Sequence, residues 1–197
     1  MARMAKDKPP KVTPRAASKA APKVAIVSLG CPKNLVDSEK LLARLAEGGC
    51  VVGAPMDAAD VVIINTCGFI APAVAESLDV IAEARRLKAA GQVRRIVVAG
   101  CLVNRQGEGL FDRAPGIDAI IGVNDRDSIL SAVLGDGRVA RISASPAAPA
   151  GDAGRFRLTP THTAYLRIAE GCSRRCTFCT IPSIRGLFRS KSPAMVL

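Results

Sequence analysis

Seven cysteines and one histidine stand in this chain of 197 residues, and six of those cysteines fall into two sets of three. The later set is Cys172, Cys176 and Cys179, in the run GCSRRCTFC, a C-x3-C-x2-C pattern. Three thiolates within eight residues of one loop can wrap one face of a four-iron cluster and leave one iron without a protein ligand. Zinc instead wants four ligands. The fourth would have to be His162, ten residues upstream and at the far end of an intervening strand.

The earlier set is Cys31, Cys67 and Cys101. Each closes a short apolar, β-rich run: residues 24–29 (VAIVSL), 61–64 (VVII) and 96–99 (IVVA). The intervals are 36 and 34 residues, each about one strand–helix–strand unit. In an open parallel sheet all the carboxyl ends lie along one edge, where ligands bind. Three thiols from three such ends can therefore meet at one point. Each also precedes a helical stretch, whose amino end favours negative charge. In a reducing compartment three converging thiolates mean a metal or an iron–sulfur cluster. The other reading is three buried cysteines packing as small hydrophobes. Cys50, in GGCVV at the start of a weak strand, reads as core.

The elements that must position these residues follow from the hydrophobic pattern. Residues 37–46 have helical spacing, with Leu41, Leu42 and Leu45 on one face. Residues 73–90 form a long helical stretch with Val74, Leu78, Ile81 and Leu87 inward. Residues 50–52 and 119–121 read as short strands and 128–134 as a short helix. Strands alternating with helices predict an α/β fold, an open, mostly parallel sheet with helices on both faces. That domain is expected over residues 24–142. A Pro/Ala/Gly-rich linker is expected over 143–160, and the start of a second domain over 161–197. Residues 164–168 read there as a strand leading into the cysteine loop.

Composition narrows the function. Hydrophobic residues make up 49% of the chain, enough for a core, but aromatics only 3%. Stacking platforms for single-stranded nucleic acid are therefore scarce. One histidine leaves little room for a His-rich zinc site or a Ser-His-Asp triad. The net charge of +11 lies at the ends: +6 over residues 1–23, −2 over 24–154 and +7 over 155–197. The first end, rich in Ala, Lys and Pro, reads as a disordered basic tail, either an RNA-touching arm or a solubilising extension. It has no signal-peptide apolar stretch, and no run approaches the length of a membrane span. The expectation is a cytoplasmic protein without a membrane partner.

The C-x3-C-x2-C run, with an aromatic before its last cysteine, resembles the signature of radical S-adenosylmethionine enzymes. Taken with SLGCPKN, NTCGF, AGCL and EGCSRRCTFCTIPSIRG, residues 24–190 are similar to the start of the methylthiotransferase family. GCPKNLVDSE and INTCGFI are most similar to the branch that methylthiolates an aspartate of small-subunit ribosomal protein twelve. Relatives acting on adenosine in transfer RNA share the six cysteines but usually carry a first block nearer GCQMN.

The resemblance implies that Cys172, Cys176 and Cys179 hold one 4Fe-4S cluster whose open iron binds S-adenosylmethionine. It implies that Cys31, Cys67 and Cys101 hold a second 4Fe-4S cluster that carries the sulfur to be inserted. Phe178 is placed to pack on the adenine, or else simply joins a core. Arg174 and Arg175 either attract the cofactor carboxylate or form a solvated basic loop. Asn65 and Thr66 either hydrogen-bond cluster sulfurs or cap the following helix. The implied partners are the ribosomal protein substrate and an electron donor such as flavodoxin or ferredoxin. Direct nucleic-acid binding is left open.

Members of this family run well past 400 residues, whereas the sequence here stops at Leu197, after the expected opening of a radical-enzyme barrel. The chain alone is therefore expected to be an inactive N-terminal fragment. Competing readings are a transfer-RNA adenosine methylthiotransferase, a non-enzymatic RNA- or ribosome-binding module resting on the basic ends, and a thiol-redox protein. The last lacks a C-x-x-C pair at a strand-to-helix turn of the first domain.

Overall fold

The structure, a computed structural model, describes residues 21–144, 151–152 and 154–196. Six strands build one sheet: β1 (Lys23–Ser28), β2 (Val51–Val52), β3 (Val61–Thr66), β4 (Arg95–Gly100), β5 (Ala119–Ile121) and β6 (Val139–Arg141). Their order is β2-β1-β3-β4-β5-β6. Every pairing in it is parallel. The strands are joined by α1 (Pro32–Glu47), α2 (Ala71–Ala89), α3 (Cys101–Gln106), α4 (Leu110–Arg113) and α5 (Ile129–Leu134).

Branched aliphatic side chains explain the sheet. All six residues of β3 and all six of β4 are buried, as expected of central parallel strands covered on both faces. Alternate residues feed two cores. Val62, Ile64, Ile96, Val98 and Ile120 meet Ile81 and Ala84 of α2, Leu102 of α3, and Leu110 and Phe111 of α4. Val61, Ile63, Val97, Ala99 and Ile121 meet Leu41 and Leu45 of α1 and Ile129, Ala132 and Val133 of α5. The expected doubly covered α/β sheet is thus the one found. Leu41, Leu42, Leu45 and Ile81 are buried as read, and Cys50 joins the second core. Val74, Leu78 and Leu87 are partly buried against the first core.

The chain leaves β1 toward β2 and then returns past it to β3, so the order reverses between β1 and β3. At such a switch point the connecting helices diverge to opposite faces and open a crevice at the carboxyl ends of the strands. Here α1 covers one face and α2 the other. Helix α1 starts five residues before the expected 37, because Pro32 suits the first turn, where its missing N–H is not needed.

Residues 161–196 differ from expectation. The strand expected over 164–168 does not form, since those residues join no ladder and a strand is stable only when paired. The ladder starts later, as β7 (Ala169–Glu170) pairs antiparallel with β8 (Arg189–Ser190). Between them lies α6 (Ile181–Arg185), and α7 (Pro193–Val196) follows β8. The edge strand β6, half-buried and short, had no expectation behind it.

Of the expected basic tail, residues 1–20 lie outside the described residues, and Lys23 opens β1. Of the expected linker, residues 145–150 and 153 lie outside them too. The residues that follow run along α1: Phe156 N donates to Glu39 O at 3.1 Å and Leu158 N to Glu39 Oε1 at 2.9 Å. Among the described residues no helix is long and apolar enough to cross a membrane.

Candidate metal centres

The first cysteine set sits at the carboxyl edge of three adjacent strands. Ser28 is in register with Asn65, Asn65 with Ala99, and Thr66 with Gly100. Cys67 and Cys101 follow directly, and Cys31 follows Leu29 and Gly30. Cys31 is the residue before α1, Cys101 opens α3, and Cys67 lies on the loop before α2. Two glycines let the loops touch. At Gly30, where φ is +89°, an added Cβ would lie 2.7 Å from Cys67 Cβ and 3.0 Å from Cys67 Sγ. At Gly68 it would lie 2.8 Å from Leu102 Cα and 2.9 Å from the Cys101 carbonyl. The three loops therefore pack against one another in chain order.

Polar side chains hold that edge in place. Asn34 Nδ2, buried at the start of α1, donates to Leu29 O at 2.7 Å and lies 3.2 Å from the carbonyls of Asn65 and Thr66. Asn65 Nδ2 returns the contact, donating at 2.8 Å to Asn34 O and to Ser38 Oγ. Thr66 Oγ1 donates to Ala99 O at 2.6 Å. Ser77 Oγ accepts from Cys67 N at 3.2 Å and donates to Ala73 O at 2.8 Å. Neither Asn65 nor Thr66 caps the following helix. The cap position of α2 is Ile70, and both side chains are spent joining strand ends to α1 and β4.

Burial separates the three thiols. Cys67 and Cys101 are buried and Cys31 is exposed. Burial pushes the Cys101 thiol up, and the Arg185 guanidinium opposes it. Among the described residues no three His, Cys, Asp or Glu side chains are gathered as around a bound ion. In donor type and loop placement, with glycines where a side chain would collide, the residues nevertheless fit a group held by three thiolates.

The second set lies on the loop between β7 and α6. Cys172 is half-buried, Cys176 exposed and Cys179 half-buried. The loop is tied down at its base: Cys172 N donates to Gly186 O at 3.0 Å, and Ser173 Oγ accepts from Phe188 N at 3.2 Å. Cys179 N donates to Cys176 O at 3.1 Å, a tight turn of the backbone. Phe178 is 84% exposed, so it packs in no core within these residues. Arg174 and Arg175 are exposed on the same loop, as is His162 upstream.

A buried charge cluster joins the two regions, and the sequence reading missed it. Asp37 of α1 is buried and accepts from three guanidiniums: Arg167 at 2.5 Å, Arg126 at 2.7 Å and Arg185 at 2.8 Å. Arg167 also pairs with Asp152 and, at 2.5 Å, with Glu170. Arg185 lies 3.3 Å from Glu170, and Lys191 pairs with Asp152. Burial raises the Asp37 carboxyl, but the three guanidiniums overcome it and hold the group below the usual carboxylate range. Burial lowers Arg167 and Arg185, and their carboxylate partners more than reverse it. One available signal was the DSEK run inside a helix that also carries leucines, set against a basic carboxyl end. Polar residues on the buried side of a helix must meet opposite charge.

Residues 23–122 match the model of the uncharacterized protein family UPF0004, about half of the chain. The chain belongs to this family. The match covers Cys31, Cys67 and Cys101 and ends before the second set. Relatives cover more. The chain is 44% identical over 172 residues to a protein of Solibacter usitatus named ribosomal protein uS12 methylthiotransferase RimO, covering 86% of this chain and 36% of that protein. A protein of the same name from Symbiobacterium thermophilum is 44% identical over 172 residues, with the same shares of 86% and 36%. One from Zymomonas mobilis is 44% identical over 176 residues, covering 89% of this chain and 38% of the relative. The chain therefore spans less than two fifths of the length of these relatives.

Proposed function

We propose that this chain carries the cluster-binding N-terminal portion of a radical S-adenosylmethionine methylthiotransferase, acting on an aspartate of small-subunit ribosomal protein uS12. The observation that supports it most is the placement of Cys31, Cys67 and Cys101 after three adjacent parallel strands, beside the switch point of the sheet. The names of the relatives supply the substrate.

In this reading Cys31, Cys67 and Cys101 hold one 4Fe-4S cluster. Cys172, Cys176 and Cys179 hold another, with S-adenosylmethionine beside it. When bound, these groups supply a carbon-centred radical, a sulfur and a methyl group, chemistry that side chains alone do not provide. The chain's own work is placement. Gly30 and Gly68 let the cysteine loops approach, and Asn34 and Asn65 fix the strand ends beneath them. Phe178, exposed beside Cys179, is offered to the adenine face. An electron donor of the flavodoxin or ferredoxin class docks where the second loop is exposed. The protein works in the cytoplasm.

Anaerobic reconstitution with iron and sulfide tests the cofactors. About eight irons per chain are expected, falling to about four in Cys67→Ala. A colourless protein holding one zinc overturns the reading. The substrate is tested by mass spectrometry of uS12 from a deletion strain, where loss of the aspartate methylthio group is expected. An unchanged aspartate together with altered transfer RNA overturns that assignment.

A further inference from the structure

The charge cluster ends on a cysteine. Arg185 is buried, and its Nη2 lies 3.5 Å from Cys101 Sγ, 2.8 Å from Asp37 Oδ2 and 3.4 Å from Asn34 Oδ1. Its Nη1 faces Glu170 at 3.3 Å. The side chain is thus gripped on two sides by carboxylates, and its Nη2 also faces Asn34 Oδ1 and the Cys101 sulfur. It stands at the last position of α6, six residues after Cys179. The residue that touches the first set therefore belongs to the segment that carries the second.

Charge decides what such a contact does. The connected cluster sets Arg126, Arg167, Arg185, Lys191 and Lys40 against the carboxylates of Asp37, Glu170 and Asp152, an excess of positive charge. Of these, Arg185 is the one within reach of Cys101 sulfur. A guanidinium stays protonated at all relevant pH and forms strong, directed bonds to anions. Donors and charge outside the ligand shell orient metal-bound thiolates and set cluster potentials.

We propose that Arg185 is the positioning residue of the first cysteine set: held by Asp37 and Glu170, it donates to the Cys101 thiolate and stabilises the anionic group bound there. This rests on the reading of Cys31, Cys67 and Cys101 as a cluster site. It adds that the site is completed by a side chain from the segment bearing the second set. Removing the positive charge makes the bound group harder to reduce and easier to lose.

The test uses the whole chain with Cys172, Cys176 and Cys179 replaced by Ala, so that iron can reside only at the first set. This parent is reconstituted, and its iron retention after desalting and its midpoint potential are measured. Arg185→Gln is expected to hold iron about 10-fold more weakly, at a more negative potential. Arg185→Lys, which keeps the charge, is expected to restore most of both. Glu170→Gln, which removes a neutralising anion, is expected to shift the potential the other way, and it keeps the question open to measurement should Arg185→Gln fail to fold. Equal potentials in parent, Arg185→Gln and Glu170→Gln overturn the inference while leaving the cluster site standing. Equal losses in Arg185→Lys and Arg185→Gln overturn it too, because charge is then not the property that counts. A parent that takes up no cluster sinks both the inference and the site beneath it.

Discussion

Cys67 and Cys176, both proposed as cluster ligands, stand in opposite mechanical settings. Cys67 follows a strand buried along its whole length, its own N–H is bonded by Ser77, and the neighbouring loops press on it through Gly30 and Gly68. Cys176 is exposed on a loop anchored at its base through Cys172 and Ser173. Spacing in sequence mirrors this. Cysteines more than thirty residues apart meet only if a folded sheet brings them together, so that site is built by the core. Cysteines three or four residues apart are already close, so that site needs only a loop. The cluster of Asp37, Arg167 and Arg185 bridges the two kinds of site.

The harshest way to break this contrast is to cut the bridge. Asp37→Ala leaves two buried guanidiniums, Arg167 and Arg185, and the half-buried Arg126 around a methyl group. Removing one partner of a buried ion pair costs about 3–5 kcal/mol, even though Arg167 keeps Asp152 and Glu170 and Arg185 keeps Glu170. Urea unfolding is expected to show a loss of that size, with the carboxyl-terminal segment becoming the first protease target. A cost below about 1 kcal/mol means that the segment from Arg167 to Lys191 is not held by charge.

Next comes the contrast at single positions. Gly68→Ala puts a methyl against the backbone of Cys101 and Leu102, which cannot move aside as a flexible side chain does. Overpacking of this kind costs about 1–3 kcal/mol. It should also separate two of the cysteine loops, so iron at the first set is expected to fall while iron at the second is unchanged. Phe178→Ala, at an exposed ring, is expected to change stability by less than about 0.5 kcal/mol. Paired melting curves and iron counts check both variants. Equal effects remove the distinction between a site built by the core and one built by a loop.

Much of this was legible in the residues. The apolar runs ending at Leu29, Ile64 and Ala99 marked the parallel strands because strands buried on both faces need branched aliphatics throughout. The repeated interval then put three cysteines on one edge. The position of β7 was less legible, since it turns on a partner distant in sequence: β7 pairs with β8 nineteen or more residues on. The charge cluster was not read at all. Asp37, Asp152, Arg167 and Arg185 are scattered, each looks like an ordinary solvated charge, and only the packing of the carboxyl-terminal segment on α1 buries them. The partners of Asn65 and Thr66 were hidden for the same reason, since they come from α1 and β4.

The gentlest probe is acid. Asp37 and Asp152 are both held below the usual carboxylate range. In each, burial pushes the group up and is outweighed, at Asp37 by Arg126, Arg185 and Arg167, and at Asp152 by hydrogen bonds from Arg167 and Lys191. A carboxylate depressed in the folded state stabilises it fully above the unfolded value of about 3.9, and that contribution is lost as pH falls through the lower folded value. Stability is therefore expected to drop below about pH 4, by up to ~1.4 kcal/mol per pH unit for each such group. Asp152→Asn removes one of the two protons from that slope and should flatten it. Denaturation midpoints between about pH 2 and 6 for the two proteins read the difference directly. A slope indifferent to Asp152 assigns the acid sensitivity to the sheet domain alone and removes the carboxyl-terminal segment from its cause.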